Sequence, residues 1–151
     1  MKTLKRIGLA ILVVLVGLQF ISTRTNQSSE VSSTDFILTY KVPDEVGRAL
    51  HTSCYNCHSN NTNYPWYSYV QPVGWFLEQH IDKGKAELNF SEFGSYSVRK
   101  QRSKLSSMAS QIEKDEMPLS SYTLIHRDAR LTPKSKKLLV DYFNALQDSL
   151  R

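Results

Sequence analysis

The chain has 151 residues, 40% apolar and 22% charged, with 19 Lys and Arg against 14 Asp and Glu for a formal net charge of +5. Only 2 Cys, 6 Gly and 5 Pro exclude a disulfide-dense, collagen-like or wholly disordered chain, and the length suits one compact domain. Lys2, Lys5, Arg6 and Arg24 carry four of the five excess positive charges, so the remainder is nearly neutral and no nucleic-acid partner is expected.

Residues 1–6 are basic and residues 7–21 almost wholly apolar, the layout of a secretory signal or an uncleaved signal anchor. Counted from Leu4 the stretch is 18 residues, against the roughly 20 of a spanning helix. Gln19, Phe20 and Ile21 stand where cleavage wants small residues, so residues 1–21 read as a single N-terminal transmembrane helix. Three cations before it and Arg24 after it predict a single-pass protein of the cytoplasmic membrane with its C-terminal domain in the periplasm. A secreted periplasmic form after signal cleavage is the alternative. Residues 22–35, with eight Ser or Thr and no aromatic, read as a flexible linker, which leaves 36–151 as the working domain.

A short helix over 44–53 leads into Cys54-Tyr55-Asn56-Cys57-His58. C-x-x-C-H is the attachment signature of c-type haem. Two intervening residues let one short turn offer both thiols to the two porphyrin vinyl groups, and the next residue supplies an imidazole to the iron. A redox disulfide would call for a βαβ setting, and zinc for a second paired motif; neither is visible. Tyr64, Trp66, Tyr67, Tyr69, Trp75 and Phe76 crowd the following segment. They are expected to wrap the haem, with Trp66, Tyr67 and Trp75 in its pocket. No Lys or Arg lies between Asn60 and Ile81, so stacking on single-stranded nucleic acid is not supported.

Residues 72–87 form a predicted helix whose apolar stripe of Val73, Phe76, Leu77, Ile81 and Leu88 includes His80. His80 is therefore expected to point inward, as a core histidine or a haem-pocket group. A third helix over 96–114 opens on Arg99, Lys100, Arg102 and Lys104, a solvated face or a dock for an acidic redox partner. Met108 lies on its apolar stripe and reads as core filler. Met117 stands just past the helix end and before Pro118, so a loop thioether is expected as the sixth iron ligand. Tyr122 and His126 follow in a turn within reach of the same pocket. The last helix is the clearest: Thr132 as N-cap, Pro133 at its first position, then Leu138, Leu139, Tyr142, Phe143, Leu146 and Leu150 on one side. No alternating strand pattern competes, so the fold class is all-α.

The segments Cys54-Tyr55-Asn56-Cys57-His58-Ser59-Asn60, Tyr64-Pro65-Trp66-Tyr67, Gly84-Lys85 with Leu88-Asn89-Phe90-Ser91, and Glu116-Met117-Pro118 with Tyr122 and His126 resemble the haem-binding domain family of Bacteroidetes. The likeness runs over residues 42–150. Members are small single-haem cytochrome c-like proteins with an N-terminal membrane segment. The resemblance implies covalent haem through Cys54 and Cys57 and ligation by His58, and Met117 matches the family's Met-Pro position.

The expectation is thus a cytochrome c-like helical domain around one covalent haem c, its iron held by His58 and Met117. It would transfer one electron at a time with a redox partner protein, touch the membrane through its N-terminal helix, and not act as an enzyme. A haem enzyme of peroxidase type, or a haem-based redox or gas sensor with a displaceable distal ligand, is the alternative.

Overall fold

The computed structural model describes residues 2–21, 25–28 and 30–150. Among these residues the regular structure is helical, and the only strand-like feature is an isolated antiparallel bridge between Gln27 and Asn61. In chain order come α1 (Lys2–Leu18), α2 (Phe36–Tyr40), α3 (Asp44–Leu50), a π-helical turn (His51–Tyr55) and α4 (Asn56–His58). A 3₁₀ turn (Trp66–Tyr69), α5 (Val73–Glu87), a second 3₁₀ turn (Phe90–Ser95) and α6 (Val98–Glu113) follow. The chain closes with α7 (Ser120–Ile125), a short 3₁₀ turn (Arg127–Ala129) and α8 (Pro133–Ser149).

The expectation of a membrane-spanning helix is corrected. Among the described residues no helix is long and apolar enough to cross a membrane. At about 1.5 Å per residue, the 17 residues of α1 rise about 26 Å, short of a hydrocarbon layer of about 30 Å. Lys2, Lys5 and Arg6 also charge its first turns, and the helix stops at Leu18 rather than carrying on to Ile21. There the Gln19 side chain turns back to donate from Nε2 to the Leu15 carbonyl (2.8 Å), satisfying one of the orphan acceptors of the last turn. The single-pass location in the cytoplasmic membrane, with a periplasmic domain, rested on that span and is corrected with it. Arg24, which entered that orientation, lies outside the described residues.

Part of the 22–35 segment is tied to the domain. Asn26 donates from Nδ2 to the Ser59 carbonyl (2.7 Å) and to Thr62 Oγ1 (2.9 Å), and its Oδ1 accepts from Lys85 Nζ. Asp35, buried, caps α2 by accepting from Ile37 N (2.9 Å) and also accepts from the Tyr55 hydroxyl (3.1 Å).

The core gathers around Phe36, Phe90, Phe93 and Phe143, all buried, with Phe36 and Phe93 meeting edge to face at 4.9 Å. α6 and α8 pack antiparallel through Leu105, Ala109 and Ile112 on one side and Leu139, Val140 and Phe143 on the other. The direction is set by contacts at both ends. Arg102 near the start of α6 reaches the Leu150 carbonyl after α8, while Lys136 at the start of α8 pairs with Asp115 just past α6. Thr132 caps α8 as its sequence predicts, accepting from Ser135 N at 3.1 Å. The basic cluster at the start of α6 is largely engaged within the domain, with Lys100 over the Tyr96 ring and Lys104 paired with Glu87. α5 is different: it buries only Gly74 and Ile81 fully.

Candidate functional site

α3, the π-helical turn and α4 form one continuous rod, since His51 and Asn56 at the junctions keep right-handed helical backbone. Ser53, Cys54, Cys57 and His58 line one cavity of about 410 Å³. A second cavity of about 610 Å³ takes His51, Thr52, Tyr55, Asn56 and Ser59, and it holds neither thiol nor thioether. The motif therefore presents its reactive side chains together and its neutral ones elsewhere.

The other walls of the cavity come from distant parts of the chain. α5 contributes His80, Lys83, Gly84 and Glu87; α6 contributes Lys104, Ser107, Met108, Gln111 and Ile112; Met117, Pro118, Leu119 and Tyr122 follow. Leu88, Phe90, Leu131 and Phe143 make the deeper wall apolar.

His58 is oriented by the backbone of α5. Its Nδ1 lies 2.9 Å from the Gly84 carbonyl and 3.1 Å from the Leu88 carbonyl. Two acceptors there require the proton on Nδ1, so Nε2 keeps its lone pair. Burial pulls the His58 pKa below the ordinary imidazole value, although the two carbonyls pull it up, and the ring stays neutral. Gly84 makes the approach possible, because a Cβ there would lie 2.8 Å from the Cys57 carbonyl oxygen and 3.4 Å from His58 Cε1. Phe90 meets the His58 ring edge on at 6.4 Å and stacks on Tyr55 at 4.9 Å.

Both thiols are free. Burial, reinforced by Cys57 beside it, pushes the Cys54 thiol up to about 12, and burial raises Cys57 as well. The Leu88-Asn89-Phe90-Ser91 element grips the residues just after the motif. Asn89 Nδ2 donates to Asn60 Oδ1 (2.9 Å), and Ser91 Oγ accepts from Asn60 N (3.1 Å).

Met117 lies in the loop past α6, its N–H donating to the Gln111 carbonyl (3.3 Å), and lines the cavity. Met108 lines it too while packing on the core, so the cavity holds two thioethers. Tyr122 is brought in, and its hydroxyl accepts from Asn56 Nδ2 (2.9 Å), which ties the Met117 side of the cavity to the motif. His80 sits at the cavity edge but is exposed, with Nδ1 on the Phe76 carbonyl (2.7 Å), rather than pointing inward.

Trp66, Tyr67, Trp75 and His126 do not line this cavity. Trp66 is 79% exposed and Phe76 62%. The 3₁₀ turn meets α5 through small residues instead, Ser68 being buried and its carbonyl lying where a side chain on Gly74 would go. Tyr67 is hydrogen-bonded to His126 Nε2 (2.5 Å), and His126 stacks on Tyr122 at 4.3 Å. His126 thus links Tyr67 to Tyr122. The carbonyls of Gly84 and Leu88 and the Asn56 amide carried no sequence signal beyond a glycine inside a predicted helix, while Met108, expected as core filler, packs on the core and also lines the cavity.

A neutral imidazole with a free Nε2, two thiols, thioethers and an apolar wall in one cavity suit an iron porphyrin. The sequence model of the haem-binding domain matches residues 13–145. The chain belongs to that family. It is a haem-binding protein, and its haem-binding domain takes in the C-x-x-C-H motif, α5, α6 and the Met117 loop. Comparison with curated proteins and with solved structures returned no match.

Proposed function

We propose that the protein holds one haem c per chain and transfers single electrons to and from a redox partner protein, as a carrier rather than an enzyme. Cys54 and Cys57 would tether the porphyrin as thioethers, with His58 as the proximal ligand and Met117 as the distal one. One observation carries this reading: the Gly84 and Leu88 carbonyls hold His58 Nδ1, leaving Nε2 for a metal in the cavity that also takes both thiols and Met117. When bound, the group supplies an iron that alternates between ferrous and ferric states.

The chain's part is positional. The carbonyls acting on His58 keep its tautomer and orientation and raise its basicity as a ligand. The apolar wall excludes water, and a thioether favours the reduced metal. The Asn56–Tyr122 bond keeps the Met117 segment close to the motif in either state. None of these groups needs to gain or lose a proton, which suits a carrier.

Two measurements test the proposal on protein made with haem-attachment machinery. Haem is expected to remain with the polypeptide under denaturing conditions. The oxidised spectrum is expected to show a methionine-to-iron band at its red edge that Met117→Ala abolishes. Haem released by denaturant, or a high-spin spectrum that shifts readily with carbon monoxide, would overturn the covalent or the carrier reading respectively. Persistence of the band in Met117→Ala and its loss in Met108→Ala would move the distal ligand to Met108.

A further inference from the structure

The charged residues of the haem cavity are confined to two helices: Lys83 and Glu87 on α5, and Lys104 on α6. Lys104 Nζ lies 3.5 Å from Glu87 Oε2, a pair that joins α5 to α6 across the cavity's edge. Its halves are unequal. The Lys104 side chain is 25% exposed and the Glu87 side chain 82%, so the ammonium sits in the wall while the carboxylate comes to it from solvent. Lys83 is exposed and forms no ion pair among the described residues.

Haem is an apolar plate whose only ionised groups are two propionate carboxylates. A carboxylate placed against Leu88, Phe90 or Phe143 would lose its hydration without compensation, so the propionates belong where the cations are. We infer that Lys104 and Lys83 receive the haem propionates, and that Glu87 holds Lys104 as a stand-in carboxylate until they arrive. Replacing one carboxylate by another keeps Lys104 paired throughout. Glu87, mostly in water already, gives up little when released. This inference rests on haem occupying the cavity assigned to it above.

The test uses the full chain with Cys54→Ala and Cys57→Ala, so that hemin binds reversibly. Its dissociation constants for hemin and for hemin dimethyl ester, whose carboxylates are blocked, are measured by absorption titration. Lys104→Gln and Glu87→Gln break the same ion pair but are expected to act with opposite sign. Lys104→Gln should weaken hemin binding about three- to tenfold and leave the ester unchanged. Glu87→Gln, which removes the competing carboxylate, should tighten hemin about two- to threefold. Lys83→Gln, which breaks no pair, should weaken hemin alone, and ester binding by each variant reports that its cavity is intact. Equal weakening of hemin by Lys104→Gln and Glu87→Gln, or equal loss of hemin and ester in either lysine variant, would overturn the inference and leave the haem cavity standing. A parent chain that binds neither ligand would overturn the inference, whereas the covalent reading stands or falls on haem retained under denaturing conditions by the chain with both thiols.

Discussion

His58 gives one ring nitrogen to the protein backbone and keeps the other free of hydrogen bonds to the described residues. Nδ1 is fixed by the Gly84 carbonyl of α5 and the Leu88 carbonyl just past it, and the neutral ring keeps a lone pair on Nε2. The neighbouring thiols follow the same logic of neutrality: an apolar cavity favours a protonated sulfur over a thiolate. Cys54 at about 12 keeps a proton that the unfolded chain, at its ordinary 9.0, gives up first. The stability this contributes to the haem-free fold is complete below about pH 9 and is lost as the pH climbs towards about 12. Iodoacetamide at about pH 8 should therefore alkylate Cys54 of the folded, haem-free chain at least about a hundredfold more slowly than in urea. Equal rates would show an open, solvated thiol. That Cys54, Cys57 and His58 would share one cavity was legible in the sequence because spacing within one turn is a local property. The exposure of Trp66 was not, since residue type does not say which face of a turn is buried.

α5 meets the motif helix by backbone rather than by side chains. Gly84 lets the two approach until the α5 carbonyls reach His58, and there is no room for a methyl group. Gly84→Ala is expected to destabilise the protein by about 1–3 kcal/mol and to change the spectrum of the loaded form by loosening the His58 hydrogen bonds. A thermal melt and an absorption spectrum identical to those of the parent protein would contradict this packing. The same element explains why the stripe read on residues 72–87 was only half right. Ile81 is buried as periodicity predicts, whereas Phe76 and His80 are exposed, because the tertiary packing of α5 leaves their side of the helix uncovered. α8 offers the contrast: its cap and stripe agree with the sequence at every position named, since its buried face meets α6 in the permanent core.

At the scale of the molecule, two regions differ in what completes them. The phenylalanine cluster with α6 and α8 forms the protein core and reaches the 410 Å³ cavity through Phe90, Phe143 and one side of α6, while α5 and the Met117 segment border that cavity without joining the core. Stability should follow that division. In the haem-free chain, amide hydrogen exchange is expected to be faster in α5 and residues 117–125 than in α6 and α8, and loading haem should slow the first set far more than the second. Uniform exchange in both forms would mean that haem adds nothing to the packing of α5.

The sequence by itself determined the all-helical class, the capped last helix, the C-x-x-C-H spacing and the position of Met117 past a helix end. These depend on caps, periodicity and spacing over a few residues, which act before distant parts of the chain meet. Only the tertiary structure decided that α1 stops short of a membrane's thickness and that the aromatic segment turns outward. It also decided that Met108 joins Met117 in the cavity, and that Gly84 and Leu88 position His58 while Asn56 holds Tyr122. The physical reason is that each of these depends on close approach between residues far apart in the chain, and a composition or a stripe carries no information about which partner arrives.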